Sequence, residues 1–347
     1  MKQIVQSMLN GETKLQEVPV PSMNSKSVLI RSRYSLVSLG TERMLVEFAN
    51  SNLIFKAKKQ PDKVRQVWEK LRSDGLLPTV ETVFNKLNKT VSLGYCNMGV
   101  VEAVGEKVKS LKIGDRVVSN GPHAEFVSVS ENLCAKVPDT VASEDAVFTV
   151  IGAIALQGVR LVDPTLGETV VVVGLGLVGI IATQLLKANG CKVIGIDPDR
   201  SKIKLVEDLG IVGLRVSEDT DPISLVMDQT GGVGADAVLI TATNDSNEVI
   251  SQAAKISRQR GRIILVGVVG LELSRADFYE KELTFQVSCS YGPGRYDDEY
   301  ELNSRDYPIG FVRWTEQRNF QAVLEVISRG QLSLRPLITK VVPVTDY

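Results

Sequence analysis

Three glycines and one acid are the residues of this chain whose spacing could do chemistry. Val170-Val171-Val172-Val173 runs without a polar break into Gly174-Leu175-Gly176-Leu177-Val178-Gly179, and Ile180 to Asn189 then reads as a helix stopped by Gly190. A strand entering G-x-G-x-x-G and a helix leaving it make a phosphate-binding turn. Gly174 permits the sharp bend, Gly176 lets a pyrophosphate reach the backbone, and Gly179 lets helix and strand pack closely. The free N–H groups and positive dipole end of the helix face the phosphates. The next apolar run, Cys191 to Ile196, ends in Asp197, about 20 residues on, where a carboxylate accepts hydrogen bonds from an adenosine ribose. An acid there also repels a 2′-phosphate, so the spacing reads as a site for NAD(H) rather than NADP(H), with Arg200 close enough to offset part of that preference.

The elements that must position this turn alternate beyond it. Strand-like runs at Val193–Ile196, Gly213–Val216, Asp236–Thr243, Arg262–Val266 and Thr284–Cys289 are separated by helices starting at Arg200, Pro222 and Asn247. Such alternation specifies an α/β fold with a doubly wound parallel sheet, whose ligands lie at the carboxyl ends of the strands. Thr241, Ala242, Val266, Gly267, Val268, Cys289 and Ser290 are therefore expected beside the cofactor, with Leu175 and Val178 in the turn itself. Upstream, short strands at Ile4–Leu9, Leu15–Val20, Ser27–Ser35, Gly99–Gly105, Asp115–Val118 and Ala124–Val129 suggest a β-barrel-like unit. Ser38 to Glu42 reads as a small-residue turn. Residues 43–90 look helical and read as an insert, either a lid or subunit contact or a solvated decoration. Ser143 opens a further helix, and Asn319 to Arg329 makes an amphipathic one.

Composition bounds the partners. Forty Lys and Arg against 41 Asp and Glu leave a net charge of −1, so no overall field recruits nucleic acid or an anionic membrane, and a small-molecule substrate is expected. No apolar run is long enough to span a bilayer and the first residues lack the apolar segment of a signal peptide, which places the chain in the cytoplasm. The 4 cysteines, Cys96, Cys134, Cys191 and Cys289, form no C-x-x-C pair, and the 1 histidine, His123, stands alone. Neither a disulfide framework nor a structural zinc site follows from them, and His123 reads as a hydrogen-bonded structural residue.

The order of parts resembles the medium-chain dehydrogenase/reductase superfamily: a GroES-like β-barrel catalytic domain with a Rossmann domain inserted before its last segment. The opening Glu17-Val-Pro-Val-Pro, Gly114-Asp115-Arg116-Val117, Gly174 to Gly179 and Asp197 carry the likeness along nearly the whole chain. It implies a catalytic domain over 1–152 with an insert at about 43–90, a nucleotide-binding domain over 153–292, and a segment 293–347 returning to the catalytic domain and stopping short of a final helix. It also implies a second ribose contact at Lys202. Zinc-dependent members carry C-G-T-D and G-H-E-x-x-G. Here the same stretches read Leu39-Gly40-Thr41-Glu42 and Gly94-Tyr95-Cys96-Asn97-Met98-Gly99, so the resemblance implies no catalytic metal. Hydride transfer then needs another donor at the reacting oxygen, for which Tyr95, in the place of the zinc-binding histidine, and Thr41, at the proton-relay position, are the candidates. Gly152 to Arg160 and Tyr291-Gly-Pro-Gly-Arg-Tyr-Asp are similar to the zinc-lacking half of bacterial bi-domain oxidoreductases of surface polysaccharide synthesis. That likeness implies a sugar or sugar-nucleotide substrate, a Gfo/Idh/MocA-type domain following in the natural chain, and a homo-oligomer. Arg295 and Arg313 are candidates to grip an anionic group. Two rival readings remain: a quinone or enoyl reductase, and a non-catalytic module that senses NAD(H).

Overall fold

A computed structural model describes residues 1–7, 10–50, 90–217 and 219–347. The insert expected at 43–90 therefore lies outside the described residues except at its two ends. The amino-terminal part is antiparallel. Strands β1 (Lys2–Ser7), β2 (Thr13–Glu17) and β4 (Thr90–Ser92) form a sheet in the order β2-β1-β4. A second sheet, in the order β7-β3-β5-β6-β8, is built from β3 (Ser27–Ser35), β5 (Asn97–Val104), β6 (Arg116–Ser119), β7 (Phe126–Ser130) and β8 (Cys134–Lys136). A bridge between Gln3 and Ala124 joins the two sheets. Val28, Ile30, Val101, Val117 and Val127 alternate inward along their strands and close a small barrel core, the pattern expected of sheets wet on one face. These are the strands of a GroES-like domain.

Helix α1 (Leu39–Asn50) follows β3. It starts inside the stretch read above as a turn, because Glu42 reaches back: its Oε1 accepts from the Ser38 N–H at 2.8 Å and its own N–H donates to the Ser38 carbonyl at 3.0 Å. The helix read from Ser143 is two pieces, α2 (Ser143–Ala146) and α3 (Thr149–Val162).

The second part is a Rossmann sheet of six parallel strands in the order β11-β10-β9-β12-β14-β16. Its strands are β9 (Thr169–Val173), β10 (Lys192–Asp197), β11 (Val212–Arg215), β12 (Ala235–Ile240), β14 (Ser257–Leu265) and β16 (Thr284–Val287). The helices are α4 (Leu177–Ala188), α5 (Arg200–Asp208), α6 (Pro222–Gln229), α7 (Glu248–Ile256) and α8 (Arg275–Tyr279), followed by α9 (Asp298–Glu301) and α10 (Glu316–Ser328). The unbroken valine run of β9 is explained by burial on both faces. Val170 and Val172 pack with α3, α4 and α10, while Val171 packs with α6 and α7 on the other side. A short pair, β13 (Thr243–Asn244) with β15 (Val268–Val269), ties the loops beyond β12 and β14 together. Strand order reverses between β9 and β12, so the crevice of this sheet opens where Gly174 and Thr241 emerge.

Candidate coenzyme and catalytic site

The three glycines of the turn behave differently, and the differences define the site. Gly174 has φ +94°, and a Cβ there would meet the Ala242 nitrogen at 2.6 Å. A Cβ on Gly179 would meet the Gly174 carbonyl oxygen at 2.0 Å and Thr241 Oγ1 at 2.7 Å, so this glycine is what lets α4 sit against the strand ends. Gly176 faces neither constraint: a Cβ there would meet nothing within 4 Å. Its bareness leaves room above the backbone at the amino terminus of α4, where Gly176 is the cap residue and no side chain among the described residues satisfies the first-turn N–H groups. An anion approaching that turn finds donors and a positive dipole end.

Asp197, at the end of β10, is buried and holds the other wall. Its Oδ2 accepts from the Leu175 N–H at 2.7 Å and its Oδ1 from the Asp199 N–H at 2.9 Å, while Lys202 Nζ lies 3.4 Å from both oxygens. The carboxylate is thereby fixed in orientation beside the glycine turn. Leu175 serves this geometry through its backbone, since its side chain is fully buried against Gly195. Thr241 Oγ1 donates to the Gly174 carbonyl at 2.5 Å, and Ala242 accepts from the Val268 N–H at 3.1 Å. The Val266 and Gly267 N–H groups are spent on Ile240. Val178 is half-buried, and Val268 and Cys289 are exposed along the same edge. Ser290 beside them takes a left-handed φ of +46°, a costly conformation for a residue with a side chain. Thr241, Ala242, Val266, Gly267 and Val268 thus stand at the carboxyl ends of β12 and β14 beside the glycine turn, and Cys289 and Ser290 follow the end of β16.

The catalytic candidates lie in the antiparallel part. Thr41 sits in the first turn of α1, its side chain outside the described residues. Tyr95 is half-buried and packs against the core cluster that holds Cys96 and Phe148. Beneath them is a pair that sequence reasoning missed. His123 Nε2 lies 2.8 Å from Glu42 Oε2, and both side chains are buried. The imidazole packs under Gly94, where φ is +90° and a Cβ would strike the ring at 2.6 Å. Glu42 thus ties the first turn of α1 to the loop carrying His123 and to the Gly94-Tyr95 turn. A solitary acid after Gly40-Thr41 and a solitary histidine 81 residues away gave no local signal of the pairing.

These side chains do not fit a zinc ion. Leu39 is 76% exposed and has no ligand atom. Cys96, at the place of the family's acid, is wholly buried, and burial, with the charge of Glu42 adding to it, pushes its thiol well above the ordinary range. Among the described residues, no three His, Cys, Asp or Glu side chains converge into a metal-holding group. Of the two expected anion-binding arginines, Arg295 is already committed to Glu301 at 2.5 Å.

A family model described as zinc-binding dehydrogenase matches residues 178–305. The D-guloside 3-dehydrogenase of Escherichia coli (strain K12) is 30% identical over 260 residues, covering 72% of this chain and 69% of that protein. The chain belongs to the zinc-binding dehydrogenase family of the medium-chain dehydrogenase/reductase superfamily. The (R,R)-butanediol dehydrogenase of Bacillus subtilis (strain 168) is 26% identical over 288 residues, covering 74% of this chain and 75% of that one. The solved structure of the alcohol dehydrogenase TADH from Thermus sp. ATN1 superposes with a TM-score of 0.73 at 19% identity, covering 98% of this chain and 92% of that one, which establishes the fold. Membership makes the chain an oxidoreductase. The span matched by the family model lies wholly beyond Leu39, Tyr95 and Cys96, so the family's name describes its nucleotide-binding part and leaves the metal question to the residues.

Proposed function

We propose that this chain is an NAD(H)-dependent oxidoreductase that moves hydride between nicotinamide and the carbon of an alcohol or ketone, with no catalytic zinc. The observation that carries the reading is the open backbone at Gly176 beside an oriented, buried Asp197: one makes room for a pyrophosphate, the other accepts from ribose hydroxyls and disfavours a 2′-phosphate. Dehydrogenases of this family use NAD(P), and a solved relative from Sinorhizobium meliloti 1021 is described as bound to NADP, so the preference for NAD(H) rests on Asp197.

The bound coenzyme would accept or supply the hydride. The chain must then manage the proton at the reacting oxygen. In reduction, negative charge grows on the carbonyl oxygen, and the Tyr95 hydroxyl donates its proton there. Thr41, in the turn fixed by Glu42, relays the replacement from solvent. Oxidation runs the same transfers backwards. A sugar or sugar nucleotide is the substrate class we favour, within surface polysaccharide synthesis in the cytoplasm. The name of the relative acting as a D-guloside 3-dehydrogenase supports a sugar, and the likeness to bi-domain oxidoreductases supports the pathway and a following second domain.

NADH oxidation against a panel of keto-sugars and sugar nucleotides, before and after dialysis against a chelator, tests the reading. Turnover unchanged by the chelator, and lowered at least 100-fold by Tyr95→Phe, is expected from the usual worth of a positioned acid. Loss of turnover on metal removal would defeat the zinc-free mechanism. Tight NADH binding with no turnover of any carbonyl would favour the sensing module instead.

A further inference from the structure

Two arginines that share one aromatic platform, the half-buried Arg160 and the exposed Arg313, meet no carboxylate among the described residues. Apart from Arg160, the half-buried guanidiniums of the nucleotide-binding and C-terminal parts are spent on carboxylates: Arg258 on Asp236 at 2.5 Å, Arg262 on Glu168 at 2.6 Å, Arg295 on Glu301 at 2.5 Å, and Arg318 on Asp306. Arg160 and Arg313 instead both stack on one indole, that of Trp314, their guanidinium carbons 3.4 and 3.8 Å from the ring centroid. Arg160 donates its Nε–H to Asn319 Oδ1 at 2.8 Å. Its two terminal nitrogens find no acceptor among the described residues, and neither does any nitrogen of Arg313.

Stacking on the ring fixes the planes of both forks but leaves their donors unused. Burial, with the neighbouring charge of Arg313 added, pulls the Arg160 pKa down to about 10, the mark of a cation without its counter-charge. A planar guanidinium with an open fork matches two oxygens of a phosphate through parallel N–H bonds, and two such forks held rigid lose little freedom on binding. The pair also has an address. Asn319, which holds Arg160, donates its Nδ2–H to the Tyr291 carbonyl at 2.9 Å. Tyr291 directly follows Cys289 and Ser290 at the coenzyme crevice, and its hydroxyl accepts from Asn120 of the antiparallel part at 3.2 Å.

We propose that Arg160 and Arg313, seated on Trp314, form a binding site for a phosphate group, carried into the enzyme by the substrate as a phosphate ester or diphosphate. The assignment to substrate rests on the oxidoreductase reading above, whereas phosphate recognition itself does not.

The chain contains 2 tryptophans, and one of them is the proposed platform, so tryptophan emission reports on the site. The experiment is a titration of the full chain with inorganic phosphate, at ionic strength held constant with sodium chloride, repeated in Trp314→Phe and Arg313→Gln. A saturable change is expected in the parent and absent in Trp314→Phe, with the midpoint at least tenfold higher in Arg313→Gln, while NADH binds both variants as it binds the parent. No saturable change, a change that chloride reproduces, or a midpoint unmoved by Arg313→Gln overturns the proposal. A second arm compares phosphorylated and unphosphorylated keto-sugars. Arg313→Gln should raise KM at least tenfold for the phosphorylated compound alone and leave kcat within twofold, and an equal effect on both compounds overturns the assignment to substrate. If no carbonyl compound oxidises NADH, the catalytic reading fails by itself, and the phosphate titration still decides the site.

Discussion

Single residues divide the glycine turn into parts that hold the fold and one part that nothing fills. Gly179 is locked by its neighbours, with a hypothetical Cβ 2.0 Å from the Gly174 oxygen, so Gly179→Ala must push α4 off the strand ends. It is expected to cost about 1–3 kcal/mol of stability, the usual toll of overpacking, visible as a lower thermal midpoint. Gly176→Ala meets no atom and should fold with a thermal midpoint close to that of the parent, yet its methyl occupies the space above the phosphate donors. NADH affinity measured by fluorescence should fall at least tenfold in Gly176→Ala. A stable Gly176→Ala that binds NADH normally would show that the open space serves no coenzyme.

At the scale of elements, two buried acids hold helix ends in opposite ways. Glu42 closes the first turn of α1 on Ser38 and pairs with His123, so removing the imidazole leaves a buried carboxylate without its partner. His123→Ala is expected to destabilise the chain by about 2–4 kcal/mol in denaturant unfolding, and to lower kcat by loosening the turn that carries Thr41. NADH affinity, which depends on the parallel sheet, should be unchanged. Glu316, the first residue of α10, is fully buried beside Glu301. Burial, reinforced by the charge of Glu301, raises its pKa to about 9 from an ordinary 4.5. The folded chain therefore keeps this proton through a window in which the unfolded chain releases it. Stability on account of this group is highest below pH 4.5 and falls as pH rises towards about 9. Glu316→Gln should flatten that slope and stabilise the protein by about 1–3 kcal/mol at pH 8, measured by denaturant unfolding across pH. A steeper loss of stability with pH in the variant would rule the buried acid out as the cause.

Across the whole molecule, what the sequence disclosed followed the reach of each interaction along the chain. The parallel sheet was legible because Val170–Val173 and the runs after it are buried on both faces and cannot tolerate a polar break, so burial writes itself into consecutive residues. The strand, glycine turn and helix from Val170 to Ala188 were legible because the turn is set by backbone geometry at fixed spacing. Helix starts were less so: α4 begins at Leu177, ahead of Ile180, because Gly176 caps it, and α1 begins at Leu39 because Glu42 reaches back to Ser38. The contacts that shape the candidate catalytic site join residues far apart and left no local trace. Glu42 meets His123, Arg160 meets Trp314, and Glu301 neutralises Arg295, which from sequence looked free to hold an anion. The alternation of charge and hydrophobicity sees faces of elements, not which distant faces meet.

The central claim is that the crevice between Gly176 and Asp197 holds NAD(H) in preference to NADP(H). The most direct test is a fluorescence titration of the unmodified chain with NADH and with NADPH under identical salt. The account predicts saturable binding of NADH at least tenfold tighter than NADPH, because a buried carboxylate at the end of β10 would repel a 2′-phosphate. Equal or tighter binding of NADPH, or no binding of either, would contradict it.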